Sequence, residues 1–236
     1  MLRVMMSLLF VAAVLCVTAS AQTSPFDVTG NADTITPTAT HVSGDTWDLD
    51  IVVRHSGSQA NVDILVNKAS GNRPSIRHLT FDIEPDTAVD QLTVTVNILG
   101  PTNELDNLHS LGSMTFDPPV FEDCEVPCGP DRRIIIDEMW VFGSVGDIEC
   151  HGIGSLRIGG DLTGHLHVMS SGTSYAQGFI IEYVDLIRIE GDLTGSIAVV
   201  NAVARIGAIE VVGDIGSAMS PVNLSLAYPA GVIGNV

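Results

Sequence analysis

Leu156-Arg-Ile-Gly-Gly-Asp-Leu-Thr-Gly164 and Ile187-Arg-Ile-Glu-Gly-Asp-Leu-Thr-Gly195 are two copies of one pattern. Ile209-Glu-Val-Val-Gly-Asp-Ile-Gly-Ser217 and Ala230-Gly-Val-Ile-Gly-Asn-Val236 repeat it less closely. Aligned on the Gly-Asp step, the anchor residues are Asp161, Asp192 and Asp214, with Asn235 in their place in the last copy. Their spacings are 31, 22 and 21 residues. The longer first interval contains Ser170-Ser-Gly-Thr-Ser-Tyr-Ala-Gln-Gly178, a run of loop-forming composition that reads as an insertion into a shorter basic repeat.

A fixed period of this size means stacked supersecondary units. In the first copy Leu156, Ile158, Leu162, Leu166 and Val168 are apolar, and polar residues or Gly separate most of them. That is the alternation of strands with one buried face. The Gly-Asp step is a turn signal, and no repeat holds an amphipathic run long enough for a helix. Short strands and Gly turns recurring at this interval predict coils of a right-handed parallel β-helix, a solenoid, over residues 134–236. Leucine-rich repeats need a different frame, and propeller blades are about twice as long. Stacking would file Leu162, Leu193 and Ile215 into one inward column and Ile158, Ile189 and Val211 into another.

The segment Met139-Trp-Val-Phe-Gly-Ser-Val145 aligns with Leu156–Leu162 as a compressed coil without the Asp. Before it the fold class is all-β but less regular. Alternating runs at 47–53, 61–67, 76–83 and 91–99 read as strands, divided by Ser56-Gly-Ser58, Gly71-Asn-Arg-Pro74 and Glu84-Pro-Asp86. Residues 22–105 therefore form an N-terminal β region, either degenerate coils that cap the stack or a small antiparallel β-sandwich. The loose recurrence of Leu79-Thr-Phe-Asp82 as Met114-Thr-Phe-Asp117 favours coils. Residues 22–41 read as an extended leader, and 106–133 as an irregular Pro- and Cys-rich segment. The final copy stops on a residue that would open the next inward column, which implies a continuing chain or a covering subunit.

Arg3, the apolar run Met5 to Val17 and Ala19-Ser-Ala21 form a secretory signal peptide, residues 1–21. The expected address is secreted, extracellular or at the cell surface. No later run is apolar enough to span a membrane. The net charge of −18, with 10 Lys and Arg against 28 Asp and Glu, argues against nucleic acid and anionic membranes as partners. In an oxidising compartment Cys124 and Cys128 make the simplest disulfide and leave Cys150 over. Zinc held by these three and His151 is the sharper alternative, although the spacing matches no common finger.

At its I-x-I-x-G-D-[LI]-x-G repeats the chain resembles bacterial secreted right-handed parallel β-helix proteins of the surface or adhesin-like kind. The resemblance covers Met139 to Val236. It implies a fold and transfers no catalytic residue. Bactofilins carry similar Gly-Asp-Ile steps but lack a secretory signal.

Several constellations could carry chemistry. Stacked Asp161, Asp192 and Asp214 would lie about 4.8 Å apart. Either each carboxylate accepts backbone N–H groups in its own turn, or the ladder bridges Ca²⁺. A glycosidase pair is normally singular and asymmetric, so an Asp repeated in every coil reads as structural. His165 and His167 flank inward Leu166 and point outward together. They would chelate Zn²⁺ or Cu²⁺ given a third ligand, which Ser196 and Ala198 one coil on do not supply. Arg157, Arg188 and Glu210 form an outward column. The inserted loop, with Ser170, Tyr175 and Gln177, is the candidate contact site. The sequence thus predicts a structural or adhesive protein without a resident cofactor, Ca²⁺ aside, that meets an extracellular polysaccharide or cell-surface partner. A carbohydrate-active β-helix enzyme, a polysaccharide lyase or hydrolase, is the rival reading.

Overall fold

A computed structural model describes residues 23–55, 61–68, 73–85, 91–98, 108–117, 131–169, 183–200, 205–216 and 224–227. The signal peptide, Cys124, Cys128, Asn235 and the contact loop with Ser170, Tyr175 and Gln177 lie outside the described residues. The described residues hold fifteen strands: β1 (Phe26–Gly30), β2 (Thr34–Ser43), β3 (Thr46–His55), β4 (Asn61–Lys68), β5 (Ser75–Pro85), β6 (Gln91–Ile98), β7 (Leu111–Asp117), β8 (Asp131–Val141), β9 (Val145–Cys150), β10 (Gly152–Ile158), β11 (His165–Met169), β12 (Tyr183–Ile189), β13 (Ser196–Val200), β14 (Arg205–Val211) and β15 (Leu224–Ala227). No helix occurs among the described residues, so none is long and apolar enough to cross a membrane.

The strands form two mixed, mainly parallel sheets. Sheet A runs β1-β4-β6-β8-β10-β12-β14, and sheet B runs β15-β13-β11-β9-β7-β5-β3-β2. From β3 onward the chain enters the two sheets alternately, so each lap adds one parallel strand to each. Outside the two sheets, single parallel bridges join Leu108 to Val141 and form a short ladder from Val145 to Leu162, Leu162 to Leu193 and Leu193 to Ile215.

This pairing decides the first half. β3 with β5, β5 with β7, β4 with β6 and β6 with β8 are all parallel. The antiparallel sandwich is therefore incorrect for these strands, which continue the same two sheets. Leu79-Thr-Phe-Asp82 lies directly against Met114-Thr-Phe-Asp117, residue by residue. That recurrence in the sequence reflects one lap resting on the next. β7 occupies part of the stretch that composition alone marks as irregular. The leader expected over residues 22–41 is also corrected: it holds β1 and most of β2. β1 pairs antiparallel with β4 and β2 antiparallel with β3, closing one edge of each sheet. Its Thr-rich composition hides these strands because β2 is an edge with little buried surface.

A single apolar core fills the space between the sheets, from Phe26 to Ile209. Register turns the alternating pattern into files. In sheet B, Leu49, Leu79, Met114, Ile148, Leu166 and Ile197 succeed one another across β3, β5, β7, β9, β11 and β13. In sheet A the corresponding file is Val66, Ile98, Met139, Leu156, Ile187 and Ile209. The first file is completely buried. Burial of each such side chain contributes roughly 1.5–3 kcal/mol. The two columns expected from the repeats also form, Ile158-Ile189-Val211 through strand pairing and Leu162-Leu193-Ile215 through the single bridges. Ile215, in the last described lap, is 54% exposed.

Candidate functional site

The repeated Gly-Asp step builds a ladder between laps. Oδ1 of Asp161 accepts the backbone N–H of Asp192 at 2.8 Å, and Oδ1 of Asp192 accepts that of Asp214 at 2.8 Å. The carboxylates thus serve the following lap, and the bonds within each turn that the sequence suggested are not what holds them. The main chain answers in the other direction. Leu162 N–H donates to the Asp192 carbonyl at 3.0 Å, and Leu193 N–H to the Asp214 carbonyl at 2.9 Å. In the compressed coil Ser144 stands where the Asp would be, and its Oγ accepts the N–H of Asp161 at 3.2 Å. The role therefore survives the loss of the Asp.

The glycine before each Asp has the matching reason. A Cβ on Gly191 would stand 2.3 Å from Asp161 Oδ1, and one on Gly213 2.5 Å from Asp192 Oδ1. The carboxylate of one lap fills the space that a side chain of the next would need. Gly146-Asp147 repeats the device a little further along the same turn, where β11 begins. Oδ1 of Asp147 accepts the N–H of His165 at 2.7 Å, and a Cβ on Gly164 would meet the same oxygen at 2.5 Å. One oxygen of each of Asp147, Asp161 and Asp192 is thereby committed to a backbone donor in a charge-assisted hydrogen bond.

His165 and His167 project from the outer face of sheet B on either side of Leu166, as expected; His165 is exposed and His167 half-buried. Across one strand boundary His165 faces Ser196 and His167 faces Ala198. Ser196 does make a contact: its Oγ lies 2.6 Å from Nδ1 of His165. Across the other boundary His167 faces Glu149, with Asp147 beside His165. The repeat alignment sets only Ser196 and Ala198 beside this pair; these carboxylates come from the preceding, shorter lap. Among the described residues no group of three His, Cys, Asp or Glu side chains converges as a metal site. This applies to Asp161, Asp192 and Asp214 as well.

The outward column Arg157-Arg188-Glu210 forms in register. Arg188 bonds Glu190 at 3.1 Å and Glu210 at 3.4 Å, and Arg157 lies over the Trp140 ring at 4.8 Å. Two neighbouring guanidiniums are thus separated by an ion pair and a cation–π contact. At the other end of sheet B Arg77 clamps Asp48, with Nε to Oδ1 at 2.9 Å. This bond holds the Asp48 carboxyl below the ordinary carboxylate range. A bulge opposite the Trp47–Asp48 step makes Arg77 the extra residue of β5 and leaves it exposed beside His78, which pairs with Asp48.

Cys150 and His151, the described half of the zinc alternative, are both buried. Cys150 belongs to the apolar core, and burial pushes its thiol up to about 12. Nδ1 of His151 accepts the Ile134 N–H at 3.1 Å, and its ring lies 5.0 Å from Phe116. A protonated core thiol and a ring nitrogen already bonded to backbone are poor zinc ligands. No family model, curated protein or solved structure matches this chain.

Proposed function

We propose that the chain is a secreted, non-enzymatic structural or adhesive protein of the cell surface, wound as a right-handed parallel β-helix and similar to bacterial surface β-helix proteins. One observation carries this reading: the repeated acidic residues are spent on joining one lap to the next. A residue that recurs because it holds the scaffold is not a catalytic pair, which is singular and asymmetric. Strict alternation between two sheets supports the wound topology. The role of such a scaffold is to space or present a surface. The inserted loop with Ser170, Tyr175 and Gln177 is the proposed contact, and an extracellular polysaccharide or cell-surface molecule the proposed partner. Its acidic charge disfavours nucleic acid.

The test is a screen of the secreted chain against neutral and acidic polysaccharides, scoring retention and product formation separately. Retention without new reducing ends or unsaturated products, weakened by Tyr175→Ala, is the expected result. Turnover abolished by Asp161→Asn or Asp192→Asn would overturn it in favour of a lyase or hydrolase. A sharp drop in melting temperature with a Ca²⁺ chelator would instead assign the Asp ladder to calcium.

A further inference from the structure

We propose that the outer face of sheet B at β9 and β11 binds a divalent ion of the zinc type, with His165, His167 and Glu149 as its ligands. The inference is independent of the adhesive reading.

Residues two apart on a strand project from the same face. His165 and His167 therefore both project from the outer face of sheet B, from which two imidazoles can turn toward an ion needing nitrogens at about 2.0–2.1 Å. The third donor comes from the neighbouring strand. Glu149 stands directly opposite His167 in parallel register, one strand spacing of about 4.8 Å away. Glu is long enough to cross that gap. Two nitrogens and one carboxylate oxygen suit Zn²⁺, whereas Ca²⁺ and Mg²⁺ favour oxygen alone.

The surroundings of His165 support the same conclusion. A ligating imidazole usually gives its other ring N–H to an acceptor, which fixes tautomer and orientation. Ser196 Oγ is 2.6 Å from His165 Nδ1. With Ser196 as the acceptor, Nε2 carries the free lone pair. Asp147 anchors the strand at the same place by taking the His165 backbone N–H. Glu149, His165 and His167 are half-buried or exposed. The three side chains do not converge as a metal site in this structure, so binding requires them to turn toward the ion.

The molecule contains its own control. His78 and Ser113 repeat the imidazole–hydroxyl pair at 2.8 Å on the same face. Two residues beyond His78 is Thr80, which supplies no imidazole, and neighbouring Asp48 is held by Arg77. A lone exposed His–Ser pair should not bind.

The experiment is titration of the secreted chain with Zn²⁺ by calorimetry in chelator-treated buffer. One equivalent should bind. His165→Ala, His167→Ala and Glu149→Gln should each weaken binding about tenfold or more, and Ser196→Ala about tenfold. His78→Ala should leave it unchanged. Zinc binding that is absent, or unaffected in the folded double variant His165→Ala/His167→Ala, overturns the proposal, as does full retention in Glu149→Gln. Should the double variant not fold, Cu²⁺ electron paramagnetic resonance on the natural chain decides. Coupling to two imidazole nitrogens supports the site and its absence rejects it.

Discussion

Gly191 lies directly beneath the carboxylate of Asp161, so closely that a Cβ there would stand 2.3 Å from Oδ1 and 2.6 Å from the Gly160 carbonyl carbon. Gly191→Ala must therefore push two laps apart. Asp161→Ala removes the acceptor of the Asp192 N–H, a charge-assisted bond worth about 1.5–3 kcal/mol. Asp161→Asn keeps an acceptor and should cost less than Asp161→Ala. Urea denaturation of the three variants should rank Asp161→Asn as the mildest. Equal loss for Asn and Ala would show that the bond to Asp192 contributes nothing.

The files of core residues give a second expectation. Leu166 lies between Ile148 and Ile197, with no exposed surface on any of the three. Leu166→Ala should destabilise by about 2–5 kcal/mol. Leu79→Ala, in the same file within the first half, should cost a similar amount. A single unfolding transition shifted by both variants is the expected observation. Two separable transitions would mean that the halves do not share one cooperative core.

Asp48 and Arg77 predict a pH effect. The hydrogen bond from Arg77 lowers the Asp48 pKa from its ordinary 3.8. A depressed carboxyl stabilises the fold above its unfolded value, and the contribution is lost as pH falls through the folded value. Arg77→Ala should return Asp48 toward about 4 in an NMR side-chain titration. It should also flatten the loss of stability below that pH. An unchanged Asp48 titration would rule out the clamp.

Cys150 predicts the opposite limb. Burial raises its thiol from 9.0 to about 12. The unfolded chain ionises first, so the stabilising contribution is complete below about pH 9 and declines as pH rises toward 12. The decline is at most about 1.4 kcal/mol per pH unit. Relative to Cys150→Ala, the natural chain should lose stability faster between pH 9 and 11. In the native state at pH 8, peptide mapping should find Cys150 unalkylated by iodoacetamide. Rapid alkylation there would contradict its burial.

The all-β class and the inward columns through Ile158, Ile189, Leu162 and Leu193 were legible because repetition and alternation report the same buried face. The reason for each Gly-Asp pair was not. It depends on which residue lies one lap away, and a sequence shows composition along the chain only. Ser144 illustrates this: the alignment with Leu156–Leu162 sets it where Asp161 stands, but that its Oγ takes over the bond to the next lap emerges only with the laps in register. Glu149 was missed beside His167 for the same reason. β1 and β2 were missed because edge strands bury little, and Thr-rich stretches carry no apolar alternation.

Ser144, Asp161, Asp192 and Asp214 are joined by the same kind of bond at sequence separations of 17, 31 and 22. The linkage takes no account of how much polypeptide lies between its ends. The stretch between Met169 and Tyr183 is therefore a grafting position. A foreign peptide placed there would be carried at a fixed point along the molecule while the bonds on either side are formed as before.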